Sequence, residues 1–390
     1  MTGSPVSQAE LIPTVGVIGG GQLAWMMAQV APEVGVKLAV QTPNLTDPAV
    51  SLTQAVVQAA VADAKGTAQL ARQSDVITFE NEFVDLDALE VLAARGVTIY
   101  PRLQTLRPLL DKWEQRRFLQ NLGLPVPRFL TYAPGFPAPL PFPCVLKARR
   151  HGYDGQGTQI LQTTNELPPT GEPDTWMLEA FVPYEKELAI IGARNAAGDI
   201  RLYPVVETIQ RQQICHCVIA PAALGTEIIE TIGDYCRQIL TGLDYVGVLG
   251  IELFLLHQSA EQTSPAQRLL INELAPRTHN SGHYSLDACV TSQFALQLQA
   301  VTGKPLGKTE LTCERAVMVN LLGYEGMAAT YQERLEKLAA YDHAHLHWYG
   351  KTVLRPGRKL GHVTVTLTAD SPELTAATVM QDFEALWYGS

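Results

Sequence analysis

The residues of this chain that could do chemistry concentrate between Asn272 and His283, which read NELAPRTHNSGH. Amides, a carboxylate, a guanidinium and two imidazoles crowd into that one segment. The preceding run RLLI (Arg268–Ile271) reads as a buried strand. It would put Asn272 and Glu273 at the mouth of a sheet, where α/β proteins bind ligands. A second apolar run, VGVLGIELFLL, carries Glu252. Two carboxylates on adjacent strands in apolar surroundings suit Mg²⁺ that also holds phosphate oxygens. Strand-end acids bonded to neighbouring backbone fit the same spacing.

Two glycine-rich loops offer backbone amides. HGYDGQGT (His151–Thr158) sits between strand-like runs, and its N–H groups can fold down over a polyphosphate. Lys147 on the preceding strand would reach such a group as a point charge, with Arg149 and Arg150 nearby. An ordinary glycine-rich hairpin is the competing reading. Gly19, Gly20 and Gly21 follow the strand-like TVGVI, where glycines let amides approach an anion at a helix N-terminus. The spacing is not GxGxxG, and KLAVQT ends without an acid for a ribose hydroxyl, which disfavours a dinucleotide site. ENE (Glu80–Glu82) reads as a strand-end acid cluster. Lys351 and Arg358, in YGKTVLRPGRKLGH, flank a turn and suit a phosphate monoester, or else are the solvated charges of a hairpin. DHAHLHW reads as a strand face and not as a metal site, because no acid or cysteine of matching spacing accompanies its histidines.

These groups need rigid elements to hold them. Residues 14–100 alternate strands (TVGVI, KLAVQT, SDVITFE, GVTIY) with helices, which argues a parallel sheet. A helix is expected over residues 112–123, then a proline-rich connection, Tyr132–Pro143. Strands flank the second glycine loop, and WMLEAFVP is another. Helices are expected over Thr226–Leu243 and Ser285–Thr302, with ERAVMVNLLG and GHVTVTLT as late strands. With 390 residues, 46% of them hydrophobic, the chain can build two or three cores. A net charge of −10 without a basic block argues against nucleic acid. No apolar run reaches membrane-spanning length, and the first dozen residues read as a loose leader. Six cysteines without CxxC pairs fit free thiols in a reducing cytoplasm.

Taken in order, GGGQL, TFENE, HGYDGQGT, EAFVPYEKE, NELAPRTHNSGH and YGK…RPGRKLGHV resemble the ATP-grasp ligase family of N5-carboxyaminoimidazole ribonucleotide synthetases, from about residue 13 onward. The resemblance implies an α/β fold of three parts: a Rossmann-like domain (1–111), a small lid (112–183) and a larger C-terminal domain with a β-rich extension (184–390). It implies ATP held by Lys112, Lys147, Gly152, Tyr153, Asp154, Gly155, Gln156, Gly157, Thr158, the Glu179–Ala180–Phe181–Val182 hinge, Glu187, Gln210, Asn272 and Glu273. Mg²⁺ would lie on Glu252 and Glu273. Gly21, Gln22, Leu23, Glu80, Tyr153, Asn280, Ser281, Lys351 and Arg358 would surround 5-aminoimidazole ribonucleotide. Asp154 and His283 are candidates for proton handling, and Arg277 for stabilising the phosphoryl group or carboxyphosphate formed from bicarbonate. A homodimer without nucleic-acid or membrane partners is expected.

Lys112 stands where the family usually has arginine, Gln210 where it has histidine, and Ala24 where it has glycine. Rival readings are a formate-dependent glycinamide ribonucleotide transformylase, an NAD(P)-dependent oxidoreductase and a non-catalytic nucleotide-binding regulator.

Overall fold

The structure is a computed structural model that describes residues 12–132, 140–150, 152, 157–168, 175–259, 264–326, 331–351, 353–369 and 374–389. Its first sheet is parallel, as the alternation requires. Thr14–Ile18 lies between Lys37–Thr42 and Val76–Phe79, and Ala55–Gln58 forms the edge beside Lys37–Thr42. The run GVTIY adds only one bridge, Ile99 to Ile77, and no strand. The helix Gln22–Val34 starts directly after the glycine turn and stops at Gly35, whose φ of 66° closes it in the left-handed conformation.

Leu23, Met26 and Met27 of this helix share a core with Phe294, Leu298 and Val301 of the helix Gln293–Val301. Burying each such side chain contributes roughly 1.5–3 kcal/mol. The first sheet is thereby joined to an element more than 250 residues away by apolar contact.

A small antiparallel sheet follows, in the order Phe129–Tyr132, Trp176–Ala180, Cys144–Ala148, Thr158–Leu161. It has its own core, including Tyr132, Leu146, Leu161 and Leu178. The helix Lys112–Asn121 instead buries Leu119 against the large sheet's core. Gln115 fixes it there, accepting from Leu274 N at 2.8 Å and donating to Leu274 O at 2.9 Å.

The third sheet has nine strands. Its path runs Leu269–Ala275, Gly247–Leu256, Tyr184–Arg194, Val206–Arg211, Ile214–Ala220, Arg315–Leu322, Lys359–Leu367, Ala344–Trp348, with Ile200–Leu202 beside Tyr184–Arg194. Two expectations change here. The helix expected over Ser285–Thr302 breaks into Ser285–Ala288 and Gln293–Val301, because Cys289 bridges to Leu311 and Ser292 caps a new start by accepting from Ala295 N. Asn272 and Glu273 lie inside the strand Leu269–Ala275 and not beyond its end. The cleft is therefore on the face of an antiparallel sheet, not at the crevice of a parallel one. No helix among the described residues is long and apolar enough to cross a membrane.

Candidate active site

Glu252 and Glu273 are register partners on neighbouring antiparallel strands, next to a shift between Glu252 and Leu253. Their carboxylates face one cleft with different company. Withdrawal from water, then the charges of Glu273 and Glu187, push the Glu252 carboxyl up to about 7. Glu273 suffers the same loss of water, but Lys112 Nζ at 2.5 Å outweighs it and holds this carboxyl below its usual range. Asn272 Nδ2 donates to Glu252 Oε2 at 3.3 Å, and His279 Nε2 lies 3.4 Å from Glu252 Oε1.

Lys147 comes to this cleft from the small sheet. Its Nζ donates to Asn272 Oδ1 at 3.2 Å and pairs with Glu179 at 2.6 Å. Glu179 is only 2% exposed, and Arg116 Nε takes its other oxygen at 2.5 Å. Burial opposes ionisation of Glu179, yet the two cations win and hold the carboxyl at about 2. Burial pulls Lys147 the other way, below the ordinary lysine value. The Glu179 side chain is thus committed to the cations, and what the hinge can offer a ligand is its backbone and the residues beyond. Phe181 is exposed there. Ala180, Phe181 and Val182 line an open pocket of about 480 Å³ with Arg128, Leu256 and Leu270.

Glu187 sits on the same sheet face, bonded by Tyr184 and Gln210, with burial raising its carboxyl pKa. Gln210 bonds Glu187, a contact it makes without carrying charge. Gly152, Gly157 and Thr158 flank the glycine loop, while Tyr153, Asp154, Gly155 and Gln156 lie outside the described residues.

The first glycine turn does hold an anion, but the anion is the chain's own. Glu80 accepts from the backbone N–H groups of Gly21 and Leu23, and burial raises its pKa. A Cβ on Gly19 would stand 2.2 Å from Glu80 Oε2, and one on Gly21 2.4 Å from Oε1. Glycine is required because a carboxylate fills the turn, and Gly19 also has a φ of +111°. Lys351 Nζ donates to Gln22 Oε1 and to Lys359 O, and its charge reaches Glu80. Arg358 Nη1 donates to Val353 O at 3.0 Å on the same hairpin. Arg277 Nε pairs with Glu82 at 2.7 Å, tying the NELAPRTHNSGH segment to the first sheet.

Asn280 and Ser281 are buried in a short turn, with Asn280 exchanging two amide hydrogen bonds with Asn320. His283 lies deeper, fully buried against Phe294 and His362. The Gln293 amide is oriented by the His279 backbone and donates to His283 Nδ1, leaving the ring proton on Nε2. Burial drives the pKa of this imidazole well below its usual value. That environment suits a residue positioning the Asn280–Gly282 turn; it offers no surface to a substrate amine.

Sequence reasoning passed over four residues that the fold brings in: Arg116, His279, Asn320 and Lys359, whose charge reaches Glu252. Arg116 had a usable signal, standing four residues after Lys112 on one helix face. Asn320 had none, since its partner is forty residues away.

Known proteins share this fold. The ribonucleotide synthetase preATP-grasp domain family matches residues 12–108, the ATP-grasp domain family residues 117–294, and the phosphoribosylaminoimidazole carboxylase C-terminal domain family residues 316–377. N5-carboxyaminoimidazole ribonucleotide synthase of Synechocystis sp. is 61% identical over 97% of this chain and 98% of its own length. The crystal structure of N5-carboxyaminoimidazole ribonucleotide synthetase from Thermotoga maritima is 35% identical with a TM-score of 0.81, covering 95% of this chain and 98% of that one. The Aspergillus clavatus N5-carboxyaminoimidazole synthase, solved with ADP and 5-aminoimidazole ribonucleotide, is 29% identical with a TM-score of 0.85, covering 97% and 99%. On the evidence of fold, site and kinship together, this chain belongs to the N5-carboxyaminoimidazole ribonucleotide synthases, a family of ATP-grasp ligases.

Proposed function

We infer that this chain carboxylates 5-aminoimidazole ribonucleotide on its exocyclic amine, using ATP and bicarbonate and releasing ADP and phosphate. The observation that carries this reading is a cleft with two opposed carboxylates and two lysines, Glu252, Glu273, Lys112 and Lys147, in a chain of this family. Loss of water, then the charges of Glu273 and Glu187, raise Glu252 to about 7, and a divalent cation would relieve that strain. Glu252 and Glu273 would hold Mg²⁺, with Asn272 beside them. Bound there, it would supply charge neutralisation for phosphate oxygens.

The ATP phosphates would meet Lys147 and Lys112, and the backbone of the second glycine loop, including the Tyr153–Gln156 stretch, would cover them. Adenine fits the pocket beside Ala180, Phe181 and Val182, and the ribose lies within reach of Glu187 and Gln210. A bicarbonate oxygen attacks the γ-phosphorus and ADP leaves, giving carboxyphosphate. Arg277, half-buried and held by Glu82, is placed to balance the charge of that anion. The ribonucleotide amine then forms a C–N bond to the carboxyl carbon, or to CO₂ released from it, as phosphate departs. Asp154 is the candidate to take the amine proton, while His283 positions the turn from the core. Lys351 and Arg358 are the cations for the ribonucleotide phosphate, with Gln22, Leu23, Asn280 and Ser281 around the base and sugar. Glu80 keeps the intervening turn rigid. We propose the division 1–111, 112–183 and 184–390 for the working parts, and a homodimer as the assembly.

ADP release with MgATP and bicarbonate, measured with and without 5-aminoimidazole ribonucleotide, tests the reading. Strong stimulation and one phosphate per carboxylated product are expected. Release indifferent to that ribonucleotide but stimulated by glycinamide ribonucleotide with formate would overturn it.

A further inference from the structure

The histidines that alternate along Ala344–Trp348 find an acid on a different element. His347 Nε2 lies 2.9 and 3.1 Å from the two oxygens of Asp287, which sits on the short helix Ser285–Ala288. His345 Nδ1 is 3.8 Å from the same carboxylate. Across the sheet, His362 is the register partner of His347, and the two rings stack with centroids 4.6 Å apart. One ligand-capable atom from each of Asp287, His347 and His362 lies within 4.8 Å of the other two.

His362 makes this more than a surface ion pair. It is fully buried, its Nδ1 is 2.8 Å from the Tyr349 hydroxyl, and its Nε2 has no hydrogen-bond partner among the described residues. In the tautomer whose Nδ1–H donates to the Tyr349 hydroxyl, Nε2 carries a lone pair. Metal-binding histidines are commonly fixed in this way, one nitrogen on a partner and the other on the ion.

We propose that Asp287, His347 and His362, joined from the solvent side by His345, form a site for one divalent transition-metal ion such as Zn²⁺. The donor set of imidazoles with one carboxylate suits Zn²⁺ or Co²⁺, whereas Mg²⁺ prefers oxygen throughout. The His345 side chain is 46% exposed and gives the ion an approach. The ion would tie the helix that follows the Asn280–Gly282 turn to the strands on either side of the Lys351–Arg358 hairpin. That bracing role rests on the ribonucleotide reading; the metal site does not.

The test uses the full-length protein, stripped with a chelator, held in excess Mg²⁺ and titrated with Co²⁺ alone. Visible d–d absorption and equilibrium dialysis report the site, and Zn²⁺ should bleach the bands. One Co²⁺ per chain is expected, bound at least roughly tenfold more weakly after His347→Gln or His345→Ala. Glu273→Gln should leave Co²⁺ binding unchanged. Thermal melts without added metal check that each variant folds, and Zn²⁺ should raise the melting temperature of the parent chain only. The absence of Co²⁺ bands in the parent chain overturns the proposal. So does binding that survives both histidine substitutions and disappears with Glu273→Gln.

Discussion

The first glycine turn and the ATP cleft solve the same electrostatic problem in opposite ways. At the turn, the Glu80 carboxyl accepts from the peptide N–H groups of Gly21 and Leu23. In the cleft, Glu273 and Glu179 are met by Lys112 and Lys147, side-chain cations carried on separate elements. A tethered anion on backbone dipoles makes a permanent structure. Lysine–carboxylate pairs carried on separate elements make a cleft of opposed charges instead. The difference separates a turn closed by the chain's own carboxylate from a sheet face whose carboxylates are met by side-chain cations.

The comparison breaks most visibly at Arg116. Arg116→Met strands the buried Glu179 with Lys147 alone, and removing one partner of such a pair typically costs about 3–5 kcal/mol. Urea denaturation should show that loss, and an unchanged midpoint would mean that Lys147 suffices. Glu273→Gln should lower ATP-dependent turnover by roughly 10²–10³ while leaving the fold intact. Steady-state ADP release checks this, and near-normal turnover would remove Glu273 from the cation-binding pair. Gly19→Ala tests the permanent side of the contrast. Its Cβ would invade the Glu80 carboxylate at a positive φ, so a loss of about 1–3 kcal/mol is expected in the same denaturation experiment.

Proton competition sharpens the contrast further. Glu252 titrates near 7 in the fold, above the ordinary carboxyl value of 4.5. With the folded value raised, the stability this group contributes is full below the unfolded pKa and is lost as pH rises through about 7. A divalent cation needs the ionised form, so Mg²⁺ affinity should rise about tenfold between about pH 6 and about pH 8, then level off. Calorimetric titration of the nucleotide-free protein reads this directly, and a flat profile would show that Glu252 is not a ligand. The smallest effect is expected at Gln210. Gln210→His changes a neutral donor to Glu187 for another, and ATP affinity should move by less than about tenfold.

Much of this was legible in the chain. The parallel first sheet, the paired acids and the glycine turn after its first strand could be read because they depend on local period and local residue type. Three things escaped for a common physical reason. Glu80 filling the turn, Asn320 bonding Asn280, and Asp287 meeting His347 are contacts between side chains far apart in sequence. The break at Cys289–Ser292 escaped because the apolar pattern runs on through it while a bridge to Leu311 interrupts the backbone. His283 is a candidate through the family resemblance, and its full burial is something only the fold supplies.

Gln297 carries a consequence for movement. Its amide oxygen takes Val248 N at 2.6 Å and its nitrogen donates to Thr78 Oγ1 at 2.8 Å. Thr78 lies two residues before Glu80, and Val248 four before Glu252. One side chain therefore clamps the two large sheets at the roots of both sites, as a stator is bolted to its frame. With both sheets held by one amide, hydrogen exchange at Val248 should be as slow with ligands as without.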